Sequence, residues 1–493
     1  MALDFANTIP AHLLMWQRVR EYAVPPSMIE TATARRAVGD WAGACAATRV
    51  DLDLDLRAVR DRHGTDLVTR LRADLRRLAP DLLRWHMPRI APDGRLRPGL
   101  TISLARYRSS GATPLQLVVR TPPAWADAGQ RMSLSLWEGS GIGAPRHHPH
   151  PHPDRRFRLD LHRHLWDSGR CGELTVRCGA GGAPFLAPPH RPGTPAPTDV
   201  PDLPAVHDYS WASARWAAEA ELLLGAESRP HGAFTVRLDA RSRTVLELVA
   251  PDDSHAPTMR RLREALPPQE VAALPMLPEA AARVLPDLEL LRAGLVVSDR
   301  LHPLVATALA VADPGPAARS APRPSDPHRV ECRGEVHRIA LRDGALTAVD
   351  HDPAQLRRED LLVALGGPAL PCLRAIDAVH RDPEALPAIR ERLGHGDVAG
   401  ALNVVEALLG PGAVLRQGQL REELESAAAG RIDHGLFRSG LVAVHPAAGA
   451  VGGGNFSGPE HTKPGHRSRL DRCTPAVLRR KRISRARPRT GLI

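Results

Sequence analysis

Lysine is almost absent from this chain: of 66 lysines and arginines in 493 residues, only Lys463 and Lys481 are lysines. A P-loop needs a lysine against its nucleotide phosphates, a protein kinase needs one on its third strand, and Schiff-base chemistry needs one as the nucleophile. Residues 1–450 contain none, which excludes all three classes from that region. Aromatic side chains are also scarce, at 3% of the chain, although eight of them are Trp. A few Trp anchors therefore have to supply large apolar area to an otherwise Ala- and Leu-rich interior. The six cysteines, Cys45, Cys171, Cys178, Cys332, Cys372 and Cys473, include no CxxC pair, so neither a disulfide framework nor a zinc ribbon is indicated. Long apolar runs are missing as well. The longest, residues 301–312, is interrupted by His302 and Pro303 and falls well short of the ~20 residues that a bilayer span requires. The start, Met1-Ala2-Leu3-Asp4, has no basic stretch and no apolar core before a cleavage site. No secretory signal is expected, and the cytoplasm is the expected compartment.

What is present is ordinary for a soluble globular protein, with 43% apolar and 25% charged residues. The length suggests roughly two to four domains. Arginine in place of lysine, with abundant Ala and Pro, reads as the coding bias of a GC-rich genome. The formal charge of +11 is unevenly placed: residues 451–493 hold nine Arg and two Lys against Glu460 and Asp471, a net +9, which leaves +2 for residues 1–450. The body is nearly neutral and carries a basic tail. In that tail the run Arg479-Arg480-Lys481-Arg482 can neutralise phosphates and would bind nucleic acid without sequence preference. The alternatives are a solvated tail without a partner and an out-of-frame extension of a GC-rich gene.

The hydrophobic pattern predicts an α+β fold, helix-rich in its N- and C-terminal regions with small antiparallel sheets between. Residues 1–90 read as a helical domain. Leu13, Leu14, Trp16, Val19 and Tyr22 recur at helical spacing, Ser27 is placed to cap the next helix, and Asp40 the one after. Leu67, Leu71, Leu75, Leu78 and Leu82 form one leucine face of an amphipathic helix. Residues 91–183 read as β-rich with a His-rich loop, because residues 101–107, 115–120 and 132–137 alternate apolar and polar. A Pro-rich linker is expected at 184–206, an α+β region at 207–312 and a second Pro-rich linker at 313–328. Residues 329–444 read as a hairpin, turned at Asp343-Gly344, followed by helices near 353–365, 370–380, 384–393, 398–409 and 419–429. Residues 445–493 have too few large apolar side chains to offset the entropy of ordering, and are expected to be a disordered basic tail.

The chemistry-bearing clusters are few. His147, His148, His150 and His152 alternate with prolines, and His162, His164, Cys171 and Cys178 follow. Imidazole and thiolate are zinc's preferred ligands, so His162, His164, Cys171 and Cys178 are the candidate metal set, with the His run as a surface patch. His162 and His164, two apart, suit one face of a strand. Asp51, Asp53 and Asp55 have the alternation of a calcium loop but lack its glycine and distal Glu, and read better as a strand leading into a helix. Gly139-Ser140-Gly141-Ile142-Gly143 is followed by Ala144-Pro145 and not by a helix, so it reads as a loop. No GxSxG elbow occurs, and no catalytic residue or cofactor is indicated. Two short stretches share a pattern, Gly39-Asp40-Trp41-Ala42-Gly43-Ala44 and Gly396-Asp397-Val398-Ala399-Gly400-Ala401, each opening a helix of small residues.

AHLLMWQRVREYAVPPSMI (residues 11–29), the GDWAGACAA that follows, LAPDLLRWHMPR (78–89), FRLDLHRHLWD (157–167) and RVECRGEVHRI (329–339) together resemble a group of large actinomycete proteins with no established activity. Some of these end in ankyrin repeats, and residues 394–413 are similar to the second helix and exit of one ankyrin unit. The resemblance implies relatives without implying a reaction. The leading expectation is a cytoplasmic interaction or regulatory protein whose partner is another protein. The alternatives are a metal-dependent enzyme using the region 147–178 and a non-specific nucleic-acid binder acting through the tail.

Overall fold

Prolines set the helix starts in the first part of the chain. Pro10 precedes the helix Ala11–Tyr22, which buries Leu13, Met15 and Val19. The next helix, Pro26–Ala37, begins one residue before the expected Ser27 cap and has no side-chain cap. Pro26 at its first position has no N–H to satisfy, so a hydroxyl cap is not needed there. Asp40 and Asp55 do cap. Asp40 Oδ1 accepts from Gly43 N–H at 2.7 Å, and Asp55 Oδ1 accepts from Arg57 and Ala58 N–H at 2.9 and 3.1 Å. The leucine face at 67–82 is buried throughout, but two helices carry it, Thr65–Arg77 and Pro80–His86. Pro80 cannot continue a helix because its ring lacks the N–H and clashes with the preceding turn.

The chain is described here by a computed structural model covering residues 9–439 apart from 108–113, 140–151, 179–210, 230, 240–241, 250–256, 263–265, 310–327, 333, 343–344, 349, 366–369, 375, 377–384, 410–414 and 416. The two Pro-rich linkers, the His147–His150 run and the basic tail thus lie outside the described residues, apart from the linker edge at His328. The fold is α+β, with small sheets set among helices. The described residues fall into two compact units: unit 1 runs to residue 124 and from 131 to 313, and unit 2 takes residues 125–130 together with those after 314.

Unit 1 holds four-stranded, two-stranded and three-stranded sheets. Strands β1 (Val50–Asp53), β4 (Thr101–Tyr107), β5 (Leu115–Arg120) and β6 (Met132–Trp137) order as β1-β6-β5-β4. β1 pairs parallel with β6, so this sheet is mixed where an antiparallel one was expected. β5 is buried along its whole length and β4 nearly so, although alternation predicted half-buried strands. Polar Ser103, Gln116 and Arg120 are among the residues covered, because helices and loops pack over both faces. β2 (Arg89–Ile90) and β3 (Arg95–Leu96) form a small ribbon, and β7 (Gly232–Arg237), β8 (Arg243–Val249) and β9 (Thr258–Arg261) form an antiparallel meander. One hydrophobic core joins helices from the first 90 residues to strands β4–β6, to Phe157, Leu159 and Trp166, and to Leu288–Leu309 side chains. A second core of twelve residues lies between the helix Trp216–Ala226 and the β7–β9 sheet.

Unit 2 carries β10 (His328–Cys332), β11 (Glu335–Arg342) and β12 (Ala345–Ala348), an antiparallel sheet in which Arg342 pairs with Ala345, as the expected hairpin requires. The helices Pro353–Ala364, Leu386–Gly394, Val398–Leu409 and Gln419–Arg438 follow. The last of them extends well beyond 429. Gly430 does not stop it, since that glycine is where the helix meets the Ala128 side chain, and a Cβ there would lie 2.7 Å from Ala128 Cβ.

Candidate functional site

The expected metal set is not gathered around one point. His162 and His164 flank the start of a single 3-10 turn (Arg163–Leu165) and are both buried; they do not share a strand face. His162 Nδ1 lies 3.0 Å from the Arg158 carbonyl and its Nε2 3.2 Å from Glu219 Oε2. Both ring nitrogens are thus directed at protein oxygens and not at a position shared with the other three residues. Arg177 grips the same Glu219 through two hydrogen bonds of 2.7 Å. Burial alone would raise the Glu219 carboxyl, but His162 and Arg177 hold it down at about 2. Cys171 donates to the Ser168 carbonyl and Cys178 to the Thr175 carbonyl, each within its own local turn. Among the described residues these four do not form a group close enough to hold one ion. Asp51 pairs with Arg131 and Asp55 caps a helix, which is the strand-to-helix reading of that acidic run.

The structure instead shows a cavity in unit 1, of about 380 Å³, with many arginines and an apolar part in its wall. Nine guanidiniums line it: Arg20, Arg89, Arg97, Arg156, Arg158, Arg177, Arg215, Arg237 and Arg283. Three lining carboxylates, Asp239, Glu279 and Glu289, face them. Met15, Trp16, Phe157, Leu159, Leu165, Leu174, Val284 and Leu285 supply an apolar part of the wall. The arginines come from many elements, among them the Ala11–Tyr22 helix, the β2 strand, the segment between Asp154 and Arg158, the end of β7 and the turn before Trp216. No short motif could have shown this set, because its members are spread over more than 260 positions of a chain in which arginine is everywhere.

Several of these arginines are held by carboxylates behind the wall. Arg20 donates to Asp287 Oδ2 and to the Trp85 carbonyl, both at 2.7 Å, while Trp85 Nε1 donates to Asp287 Oδ1 at 3.0 Å. Its guanidinium also lies over the Trp85 ring, 4.3 Å from the centroid. Arg158 is fixed by Asp160 and Glu227, and Arg156 forks onto Asp154. Arg89 differs, since the acceptors it reaches are backbone carbonyls of Arg84 and Gly94. Burial and the neighbouring charge of Arg20 push it down to about 9. Arg215 and Arg237 are lowered too, first by burial and then with a contribution from other arginines. Burial also holds His86 and His164 well below the usual histidine range, Arg20 adding to the effect at His86 and His162 and Arg177 at His164. The buried nitrogens Arg89 Nε, Arg215 Nε, His86 Nε2 and His164 Nδ1, all on lining residues, have no hydrogen-bond partner among the described residues.

A wall of this kind is suited to anions. Guanidinium forks match phosphate and carboxylate oxygens two at a time, and bonds between ionised groups are roughly twice as strong as neutral ones. Clustered buried cations raise one another's free energy, and an anion in their midst relieves that cost. Comparison with protein-family models, with curated proteins and with solved structures finds no match for the chain.

Proposed function

We propose that unit 1 binds a small, multiply charged anion with an apolar or aromatic portion, such as a phosphate ester, and that the chain is a ligand-responsive regulatory or interaction protein. The observation that carries this reading is the convergence of nine arginines on one cavity with an apolar flank. The cavity is within the size range of small-molecule sites, and its polar groups are donors far more often than acceptors. A protein partner fits the regulatory role, and a nucleic-acid partner through Arg479, Arg480, Lys481 and Arg482 is a separate proposal that rests on tail charge alone.

Calorimetric titration of the full chain with pyrophosphate, nucleoside triphosphates and citrate tests the reading. Saturable binding of one of them is expected. Arg215→Ala and Arg237→Ala should each weaken it about tenfold or more, the loss of ~1.4 kcal/mol or above that a charge-assisted bond supplies. Neutralising Arg479, Arg480, Lys481 and Arg482 together should leave that binding unchanged. Binding that survives the cavity variants and disappears with the tail variant would place the anion site in the tail.

A metal-dependent enzyme remains the rival, and one observation favours it: His164 and Cys178 both line the cavity. Metal analysis separates the two readings, because the rival requires an ion that is lost when His162 and His164 are replaced.

A further inference from the structure

Cys332 ends β10, His351 follows the end of β12, and Cys372 lies in the stretch after Leu370, 40 positions from Cys332. The fold nevertheless brings the two thiols to 3.9 Å from each other. Among the described residues, Cys332, His351 and Cys372 are the one group of His, Cys, Asp or Glu whose ligand atoms all lie within 4.8 Å of one another. Two thiolates bound to one tetrahedral zinc, each at about 2.3 Å, sit about 3.8 Å apart, while a disulfide holds its sulfurs at about 2.05 Å. The observed separation is too long for a disulfide and matches both a thiol–thiol hydrogen bond and a pair of co-ligands. Both cysteines are fully buried, and the His351 ring is stacked on His337, with centroids 3.8 Å apart and planes inclined by 19°. His337 is itself buried, and its Nδ1 has no hydrogen-bond partner among the described residues.

We propose that Cys332, His351 and Cys372 bind a structural zinc ion, with His337 bracing the histidine ligand. The surroundings give the ion a task. Among the described residues the buried apolar cluster at this site is Cys332, Ala348, Leu370 and Cys372, with Leu356 and Leu373 packed against it, so two of its four buried members are the cysteines themselves. Leu361, Leu362 and Val363 on the adjoining helix are exposed and add nothing to it. A metal ion is one of the devices by which small folded units add to the stability of a modest core. An ion here ties β10, the exit of β12 and the 370–374 stretch to one point. Binding deprotonates the two thiols, so two protons leave for each zinc taken up, and affinity rises with pH.

The full chain, purified without an affinity tag and in the presence of a thiol reductant, is expected to carry about one zinc per molecule by elemental analysis. Cys332→Ser and Cys372→Ser should each bring this below about a tenth, whereas Cys171→Ser, Cys178→Ser and the joint replacement of His147, His148, His150 and His152 by Ala should not. Because the cysteine variants can lose metal simply by unfolding, cobalt(II) added to the zinc-stripped wild-type chain gives a second readout. Intense visible bands of a tetrahedral ion with thiolate charge transfer in the near ultraviolet are expected. Absence of zinc, a weak octahedral cobalt spectrum, zinc that follows His162 and His164, or a Cys332–Cys372 disulfide in place of the metal would each overturn the proposal.

Discussion

At the scale of single residues, unit 1 encloses an Arg20–Asp287 ion pair and keeps the His86 and His164 imidazoles neutral. Arg20 and Asp287 are almost entirely enclosed, and each depends on the other for its charge to be tolerated. Asp287→Ala should therefore cost about 3–5 kcal/mol in urea unfolding, because it leaves a guanidinium buried without its counter-charge. Replacing both by well-packed apolar residues should cost much less. The histidines make the molecule sensitive to acid. Below the ordinary histidine range the unfolded chain binds protons that His86 and His164 refuse in the fold, so stability rises with pH in that window and falls as pH drops below about 6.5. Glu219 extends the loss, since its stabilisation is full above the ordinary Glu value of 4.5 and disappears as pH falls toward about 2. Melting temperatures measured from pH 8 to pH 5 should decline on the acid side, and His164→Gln should flatten that decline. An unchanged pH profile in the variant would show that His164 is not held neutral.

At the scale of elements, the clearest local signal was the repeated Gly-Asp-x-Ala-Gly pattern, and the structure gives both copies the same form. Gly39 and Gly396 take positive φ, +76° and +82°, and turn the chain out of one helix. Asp40 and Asp397 then cap the next helix through Gly43 and Gly400 N–H, at 2.7 and 3.2 Å. Each Asp also pairs with the arginine five positions earlier, Arg35 at 3.2 Å and Arg392 at 2.9 Å. A Cβ at Gly43 or Gly400 would come within 2.1 Å of the capping carboxylate. Gly43→Ala and Gly400→Ala should thus destabilise the protein by roughly 1 kcal/mol or more, the value of a lost cap, although alanine is the better helix former. The helix starts, the β-strand positions and the Asp55 cap were legible for the same reason: periodicity and capping act over a few residues. The mixed sheet, the doubly buried β5 strand and the arginine cavity were not, because they depend on which distant segments cover one another. Cys332 and Cys372 show the limit well, being 40 positions apart with no spacing that announces a shared site.

At the scale of the whole molecule, the two units differ in how much apolar surface they enclose. Among the described residues, unit 1 has a core of 37 buried apolar residues and a second of twelve, while unit 2 shows clusters of six, three and four. Denaturant unfolding should then resolve into two steps, with unit 2 lost first, since burial contributes about 25 cal/mol per Å² of apolar surface and unit 2 has far less of it. A single coincident transition by fluorescence and circular dichroism would rule this out. Unit 2 also includes residues 125–130, taken from the middle of the sequence that otherwise builds unit 1. Trp125 packs edge-on against Phe437, and His434 Nδ1–H donates to the Ala126 carbonyl at 2.9 Å across 308 positions. During synthesis those six residues leave the ribosome long before the helix that receives them exists. At about 5–20 residues per second, they wait on the order of 15–60 seconds for it. Unit 2 is therefore completed only after the Gln419–Arg438 helix has been made, by closure of a very long loop, and contacts of such sequence separation form slowly.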